Sequence, residues 1–235
     1  IKNANVYAEA ARWANGDFTE TTAAFFSDID HDGGEELVIH NDRTFFVFEG
    51  IGGKANWIFY KDGFGNAFSV VGSDVAYYPE TDGDYNESSN NHVAALSDVS
   101  PNQQNSIYDI VINQSIGNTV SATLSQYGVS KTIELHTGDN YLDVTYNFYG
   151  DTGYIKSGWT PDLLDLIWSG KSHLQRVWGP YGSYCGQRNS ASGATAALIL
   201  GNGGASFNGE FEGTLVKGDE IYGPGIFNVY LYAGY

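Results

Sequence analysis

Methionine is absent from the 235 residues, and cysteine occurs once, at Cys185. A single thiol rules out an intrachain disulfide and any zinc or redox centre built from paired thiolates. Basic residues are scarce as well: 11 Lys and Arg stand against 28 Asp and Glu, for a formal net charge of -17. Such a surface repels nucleic acid and anionic lipid and attracts divalent cations, which excludes nucleic-acid binding as a function class. No apolar run reaches the about 18 residues that a membrane-spanning helix requires. A chain that lacks methionine and opens on Ile1 reads as a processed product whose upstream signal or domain lies outside it.

What remains is rich in glycine and aromatic rings, with 30 Gly and 15% Phe, Trp and Tyr. The first 16 residues carry a helical period: Asn3 can cap, Val6, Ala10 and Trp13 share a face, and Gly16 stops the helix. From residue 17 to 235 the period changes to that of strands, and one β-domain is expected. Leu37-Val38-Ile39 and Phe45-Phe46-Val47-Phe48, separated by Asn41-Asp42-Arg43, read as a hairpin. Val120, Ala122 and Leu124 alternate with polar residues, as do Ile133 and Leu135. In the clearest strand Leu142, Val144, Tyr146 and Phe148 point one way, while Asp143, Thr145 and Asn147 point the other. Phe227, Val229 and Leu231 give a closing strand with Asn228, Tyr230 and Tyr232 opposite. Short strands joined by many Gly, Asn, Asp and Ser turns make an all-β, antiparallel fold. One later helix is expected, capped by Thr160-Pro161, carrying Leu163, Leu164 and Ile167, and ended by Gly170. Residues 80–106 are polar enough to form an exposed excursion.

The stretch SDIDHDGGEEL carries the strongest chemical pattern. Asp28, Asp30 and Asp32 alternate, Gly33 allows the chain to wrap, and Glu36 follows, which is the supply of hard oxygens that Ca²⁺ prefers. A carbonyl near Gly34 is a further ligand. The loop at 28–36 is not an EF-hand, because Ile39 stands where the bidentate carboxylate would be and a strand follows in place of a helix. The competing reading is a solvated acidic turn. The ion's role is structural, since carboxylates gathered without a cation repel one another.

Catalytic patterns are weaker. His31, His40, His92, His136 and His173 are scattered, with no pair at metal-ligand spacing, and no nucleophile elbow or phosphate loop occurs. Asp162 and Asp165, flanked by Trp159 and Trp168, can be drawn as a glycosidase pair, but carboxylates at helix starts ordinarily complement the dipole. Trp159, Trp168, Trp178, Tyr181 and Tyr184 cluster with Lys171, Arg176 and Arg188, a mixture that stacks on sugars. Core packing is the first reading of that set, with one or two rings left exposed for carbohydrate; Trp159, Trp178, Tyr181 and Tyr184 are the candidates. Asn86 and Asn113 open sequons that suit an exported, glycosylated protein or arise by chance in an Asn-rich chain.

Three segments carry a family resemblance: SDIDHDGGEELVIHNDRTFFVF, YGVSKTIELHTGDNYLDVTYNF and SGWTPDLLDLIWSGKSHLQRVWGPYGSYCGQRNSASGATAALILGNGGASFN. Together they resemble the β-sandwich that follows the catalytic barrel in glycoside hydrolase family 57, the archaeal, thermophilic amylopullulanase type in particular. The resemblance implies a large antiparallel supersandwich of the galactose-mutarotase-like kind, secretion, and calcium at Asp28, Asp30, Asp32 and Glu36. Catalysis in that family belongs to the upstream barrel, so no catalytic residue carries over. Two functions are expected from this. The first is a non-catalytic, extracellular accessory domain whose partners are an α-glucan and an upstream catalytic domain. The second is a standalone surface-layer or filament subunit that self-assembles through strand edges or calcium.

Overall fold

The computed structural model describes residues 2–72, 94–100, 106–113, 115–150, 152–212 and 217–235. The expected excursion at 80–106 lies largely outside the described residues, Asn86 and His92 included, but its described part is not exposed: Ala94 to Asp98 are buried, Ala95 bridges to Ala55 and Ser97–Ser100 forms a strand. Among the described residues the chain is all-β apart from short helices, and its strands form three antiparallel sheets.

Helix α1 (Lys2–Ala14) comes first. A five-stranded sheet follows in sequence order: β1 (Ala23–Ser27), β2 (Glu36–His40), β3 (Thr44–Phe48), β4 (Ala55–Lys61) and β5 (Ala67–Gly72). The second sheet contains β6 (Ser97–Ser100), β11 (Gly153–Trp159), β15 (Ser206–Glu212) and β16 (Lys217–Gly223), in the order β15-β16-β11-β6. The remaining strands are β7 (Asp109–Ile112), β8 (Thr119–Gln126), β9 (Val129–His136), β10 (Tyr141–Asn147), β12 (Leu174–Trp178), β13 (Tyr184–Asn189), β14 (Thr195–Leu200) and β17 (Ile226–Gly234). They form an eight-stranded sheet in the order β12-β13-β14-β17-β10-β9-β8-β7.

All three sheets feed one core. Leu37, Phe46, Ile58, Val144, Tyr146, Ile133, Leu198, Trp159, Ile221 and Leu231 are buried together there. The smaller sheets are stitched to each other by the Ala55–Ala95 bridge and by Thr160 N–H donating to the Val70 carbonyl. β8, β10 and β17 follow the alternation expected of a sheet with one wet face, with Val120, Leu142, Val144, Tyr146, Phe227, Val229 and Leu231 inside.

β2 and β3 do not alternate, because they are buried on both faces. Leu37, Ile39, Phe46 and Phe48 face the main core, whereas Val38, Phe45, Val47, Trp57 and Phe59 are covered by Val6, Ala10 and Trp13 of α1. That is why these strands read as unbroken apolar runs. Asn3 is not the cap expected of it: it lies inside α1, and its Oδ1 accepts from Trp57 Nε1 at 2.8 Å. Asn41, in the β2–β3 turn, joins three parts of the fold. Its Oδ1 accepts from Arg43 N and Thr44 N at 2.8 Å each, its amide donates to the Asp139 carbonyl at 2.8 Å, and its own carbonyl accepts from Trp13 Nε1 at 2.7 Å.

The later helix, α2 (Leu163–Ser169), is capped by Asp162 rather than by Thr160-Pro161. Thr160 is used instead to pair with β5, which leaves the cap to the next side chain that can accept a bond from the first turn. Gly170 ends the helix as expected.

Candidate functional site

The acidic loop connects β1 to β2, and the register that sets Ser27 opposite Glu36 closes it. Two left-handed residues, His31 (φ 61°) and Gly33 (φ 95°), wrap the chain. The wrap turns backbone N–H groups onto the carboxylates. Asp32 N donates to Asp28 Oδ1 and Asp30 Oδ1, both at 2.9 Å, and Ile29 N donates to Glu36 Oε2 at 3.0 Å. Ile29 is buried in the α1 cluster, and Asn5 Nδ2 donates to the Asp30 carbonyl at 3.1 Å, so the helix holds the loop in place.

One carboxylate oxygen each from Asp28, Asp30 and Glu36 comes within 4.8 Å of the others. Oxygens bound to one calcium at about 2.4 Å are at most about 5 Å apart, so this donor set fits a single hard cation. Asp32 stands outside that group; its Oδ1 accepts from Gly34 N at 2.8 Å. Gly34 lies against the cluster, since a side chain there would meet Asp32 Oδ1 at 3.1 Å and Glu36 Oε1 at 3.7 Å. Asp30 and Glu36 are only 1% and 2% exposed. Burial, with the neighbouring Asp30 charge second, pushes the Glu36 carboxyl up to about 7.

The expected carbohydrate residues divide. Trp159 is removed from the set: it is fully buried, and its Nε1 donates to Asp219 Oδ2 at 2.7 Å, so no face of the indole is open to a sugar. Trp178 is half exposed on the edge strand β12, tilted against Phe207 with its ring centroid 5.6 Å away, and the Arg176 guanidinium lies 4.9 Å over the ring. Tyr181 stands clear of the surface, held at φ 55° in a left-handed conformation unusual for a tyrosine. Tyr184 lies on the other face of the sheet from Trp178, because alternation along β12 and β13 sends Val177 and Tyr184 outward.

That outer face holds a groove of about 270 Å³ lined by Val177, Tyr184, Arg188, Ile199, Tyr232 and Tyr235. The Arg188 guanidinium sits 5.2 Å over the Tyr235 ring. Sequence reading passed over Tyr232 and Tyr235 because they are far along the chain from the Trp-rich block. The pairing of β14 with both β13 and β17 brings them beside Tyr184. The outward register of Tyr232 with Asn228 was the available signal for that ring, whereas Tyr235 follows the end of β17 and carried none.

Asp162 and Asp165 behave as helix-terminal residues. Asp162 caps α2, and Asp165 accepts from Asn189 Nδ2 at 2.7 Å and meets His173 Nδ1 at 2.9 Å. Asn113 Nδ2 donates to Ser121 Oγ at 3.1 Å and to Thr123 Oγ1 at 3.3 Å, so a glycan, which takes one of the two amide hydrogens, would displace one of these bonds. Asn86 lies outside the described residues.

No family model matches the sequence, and no curated protein matches it. Solved structures match in fold. The periplasmic domain of Thermotoga maritima YidC superposes with a TM-score of 0.51 at 13% identity, covering 85% of this chain and 82% of that one. Thermotoga maritima YidC gives 0.50 at 13% identity, and the chain spans about half of its length, 51%. The 4-alpha-glucanotransferase of Thermococcus litoralis gives 0.50 at 12% identity, covering 94% of this chain and 41% of that one. Proteins with different names share the sandwich, so the fold is common ground and function has to be argued from the sites. No helix among the described residues is long and apolar enough to cross a membrane.

Proposed function

We propose that this chain is a non-catalytic sandwich module of an exported protein, calcium-stabilised and glucan-contacting, of the kind that accompanies an α-glucan-acting catalytic domain. The observation that carries the reading is the groove on the outer face of the eight-stranded sheet. Tyr184, Tyr232 and Tyr235 supply ring faces there, and Arg188 supplies a donor fork, the combination that stacks on sugars and bonds their hydroxyls. Tyr181, exposed on the connection between β12 and β13 and outside the groove lining, would be a further ring open to a sugar. Fold similarity to part of a 4-alpha-glucanotransferase is in keeping with this reading. Asp28, Asp30 and Glu36 would hold the ion, with Asp32 close behind. The ion would neutralise two buried carboxylates and fix the β1–β2 connection under α1.

Affinity electrophoresis through amylose or pullulan tests glucan contact. Tyr235→Ala is expected to weaken retardation about fivefold, the equivalent of roughly 1 kcal/mol for one ring contact. Wild-type protein that migrates alike with and without glucan would remove the sugar from the reading.

A second reading, self-assembly, is favoured by β7. This edge strand of the eight-stranded sheet exposes Val111, and Ile107 and Ile116 beside it are 74% and 78% exposed. An apolar strand edge is a template for pairing with a second copy. Assembly predicts particles much larger than a monomer in light scattering, and Val111→Lys should disperse them; a monodisperse 25.5 kDa species at high concentration would oppose it.

A further inference from the structure

A fully buried polar cluster among the described residues serves neither the loop nor the groove. Asp98 on β6 and Lys131 on β9 are both fully buried, and Lys131 Nζ lies 2.8 Å from Asp98 Oδ2. Tyr108 and Tyr146 close around them, their ring centroids 5.2 and 5.5 Å from the amine, and Lys131 also donates to the Leu96 carbonyl at 2.8 Å. Tyr108 O–H donates to Asp98 Oδ2 at 2.5 Å. Both side-chain bonds to this carboxyl thus fall on Oδ2, and Asp98 Oδ1 is buried with no hydrogen-bond partner.

We infer that Lys131 and Asp98 form an intramolecular amide, a covalent link between the four-stranded and eight-stranded sheets. Three observations support it. The reacting groups are held in contact by opposing sheets, the geometry in which an intramolecular reaction gains most from proximity. Desolvation lowers the Lys131 pKa against the opposing pull of Asp98, so burial favours the neutral amine, which is the nucleophile. The phenol of Tyr108 is placed to hold negative charge on Oδ2 as the carbonyl carbon becomes tetrahedral.

The step balances without an outside reagent. One proton first passes from the Nζ ammonium to the carboxyl oxygen it touches, and the carboxyl then turns over about Cβ–Cγ, so that the protonated oxygen takes the Oδ1 position and the other accepts from Tyr108 at the Oδ2 position. The Nζ lone pair attacks Cγ and the N–C bond forms. The Cγ–Oδ1 bond then breaks, and Oδ1 leaves as water, carrying its own proton and one from Nζ. The product is a neutral amide. It removes two buried charges and the unpartnered oxygen, the features that make a buried ion pair costly.

Mass spectrometry of the denatured wild-type chain tests this. The expected result is a mass short by one water, located by tandem spectra of a digest to a branched peptide that joins the Asp98 and Lys131 segments. Lys131→Met should restore the full mass. Where that variant fails to fold, the wild-type digest decides alone. Separate, linear peptides containing Asp98 and Lys131 would overturn the proposal, as would a lost water placed at an Asp-Gly succinimide.

Discussion

Glu36→Gln distinguishes a calcium loop from an acidic turn because its effect should reverse with the metal. Glu36 is 2% exposed, and its folded pKa is pushed from 4.5 to about 7 by burial and by Asp30. A carboxyl raised in this way contributes stability while it is protonated, below about 4.5, and loses that contribution as the pH rises through about 7. The difference corresponds to at most about 3 kcal/mol at pH 8 in the metal-free protein. Glutamine cannot ionise, and its side-chain oxygen can still accept from Ile29 N. In chelator at pH 8 the variant should therefore melt above wild type, by up to roughly 6–12 °C for a chain of this length. Calcium reverses the order. At about 1,000 times the dissociation constant calcium stabilises wild type by roughly 4.1 kcal/mol, or about 8–16 °C, which exceeds that deficit, and the variant, short of one charged ligand, should gain less than about 1 kcal/mol. The assay is differential scanning fluorimetry of both proteins in chelator and in calcium at pH 8. A wild type that melts identically in both conditions, and above the variant in both, would refute the reasoning.

Two further substitutions probe the frame. Burial pushes His40 down to about 4 from 6.5, so its neutral form stabilises the fold above about 6.5, and that contribution, up to roughly 3 kcal/mol, is lost as the pH falls through 4. His40→Phe, which suits the surrounding Phe18, Phe25 and Phe45 rings, should flatten the loss of urea resistance between pH 7 and 4; an unchanged acid limb would count against it. Asn41→Ala removes the turn's acceptor and unpairs carbonyls at the junction with the eight-stranded sheet, and should cost about 2–4 kcal/mol in chemical denaturation. A loss below about 1 kcal/mol would show that the junction does not depend on this side chain.

Where one face of a strand is wet, the sequence was legible. Leu142, Val144 and Tyr146 on β10 and Phe227, Val229 and Leu231 on β17 lie inside as their alternation indicates, since polar partners at every second position leave no competing register. The helical face of Val6, Ala10 and Trp13 was legible for the same reason at a different period. The acidic loop could be read as a gathering of carboxylates, because a loop closed by its own hairpin needs only local residues. Its departure, Asp32 turned toward Gly34, depends on backbone torsions that spacing alone does not specify.

Properties set by contacts between distant segments were not legible. Lys131 occupies an inward position of β9 between Val129 and Ile133, yet its type marks it as a surface residue; the partner that makes burial possible, Asp98, lies on another sheet. Trp159 has the same history in reverse. It was grouped with Trp178 by proximity in the chain, but a buried acceptor, Asp219, draws it inward. Tyr184, Tyr232 and Tyr235 meet only because β14 pairs with β13 on one side and β17 on the other. These cases have a common cause. A buried charge needs its counter-charge and a ring platform needs neighbouring strands, so each is decided by pairing order. That places the groove, as the outer side of the same strands whose inner side is core, under stricter structural control than the acidic loop. A core-filling change on β14 or β17 should therefore disturb glucan retention before it disturbs calcium dependence.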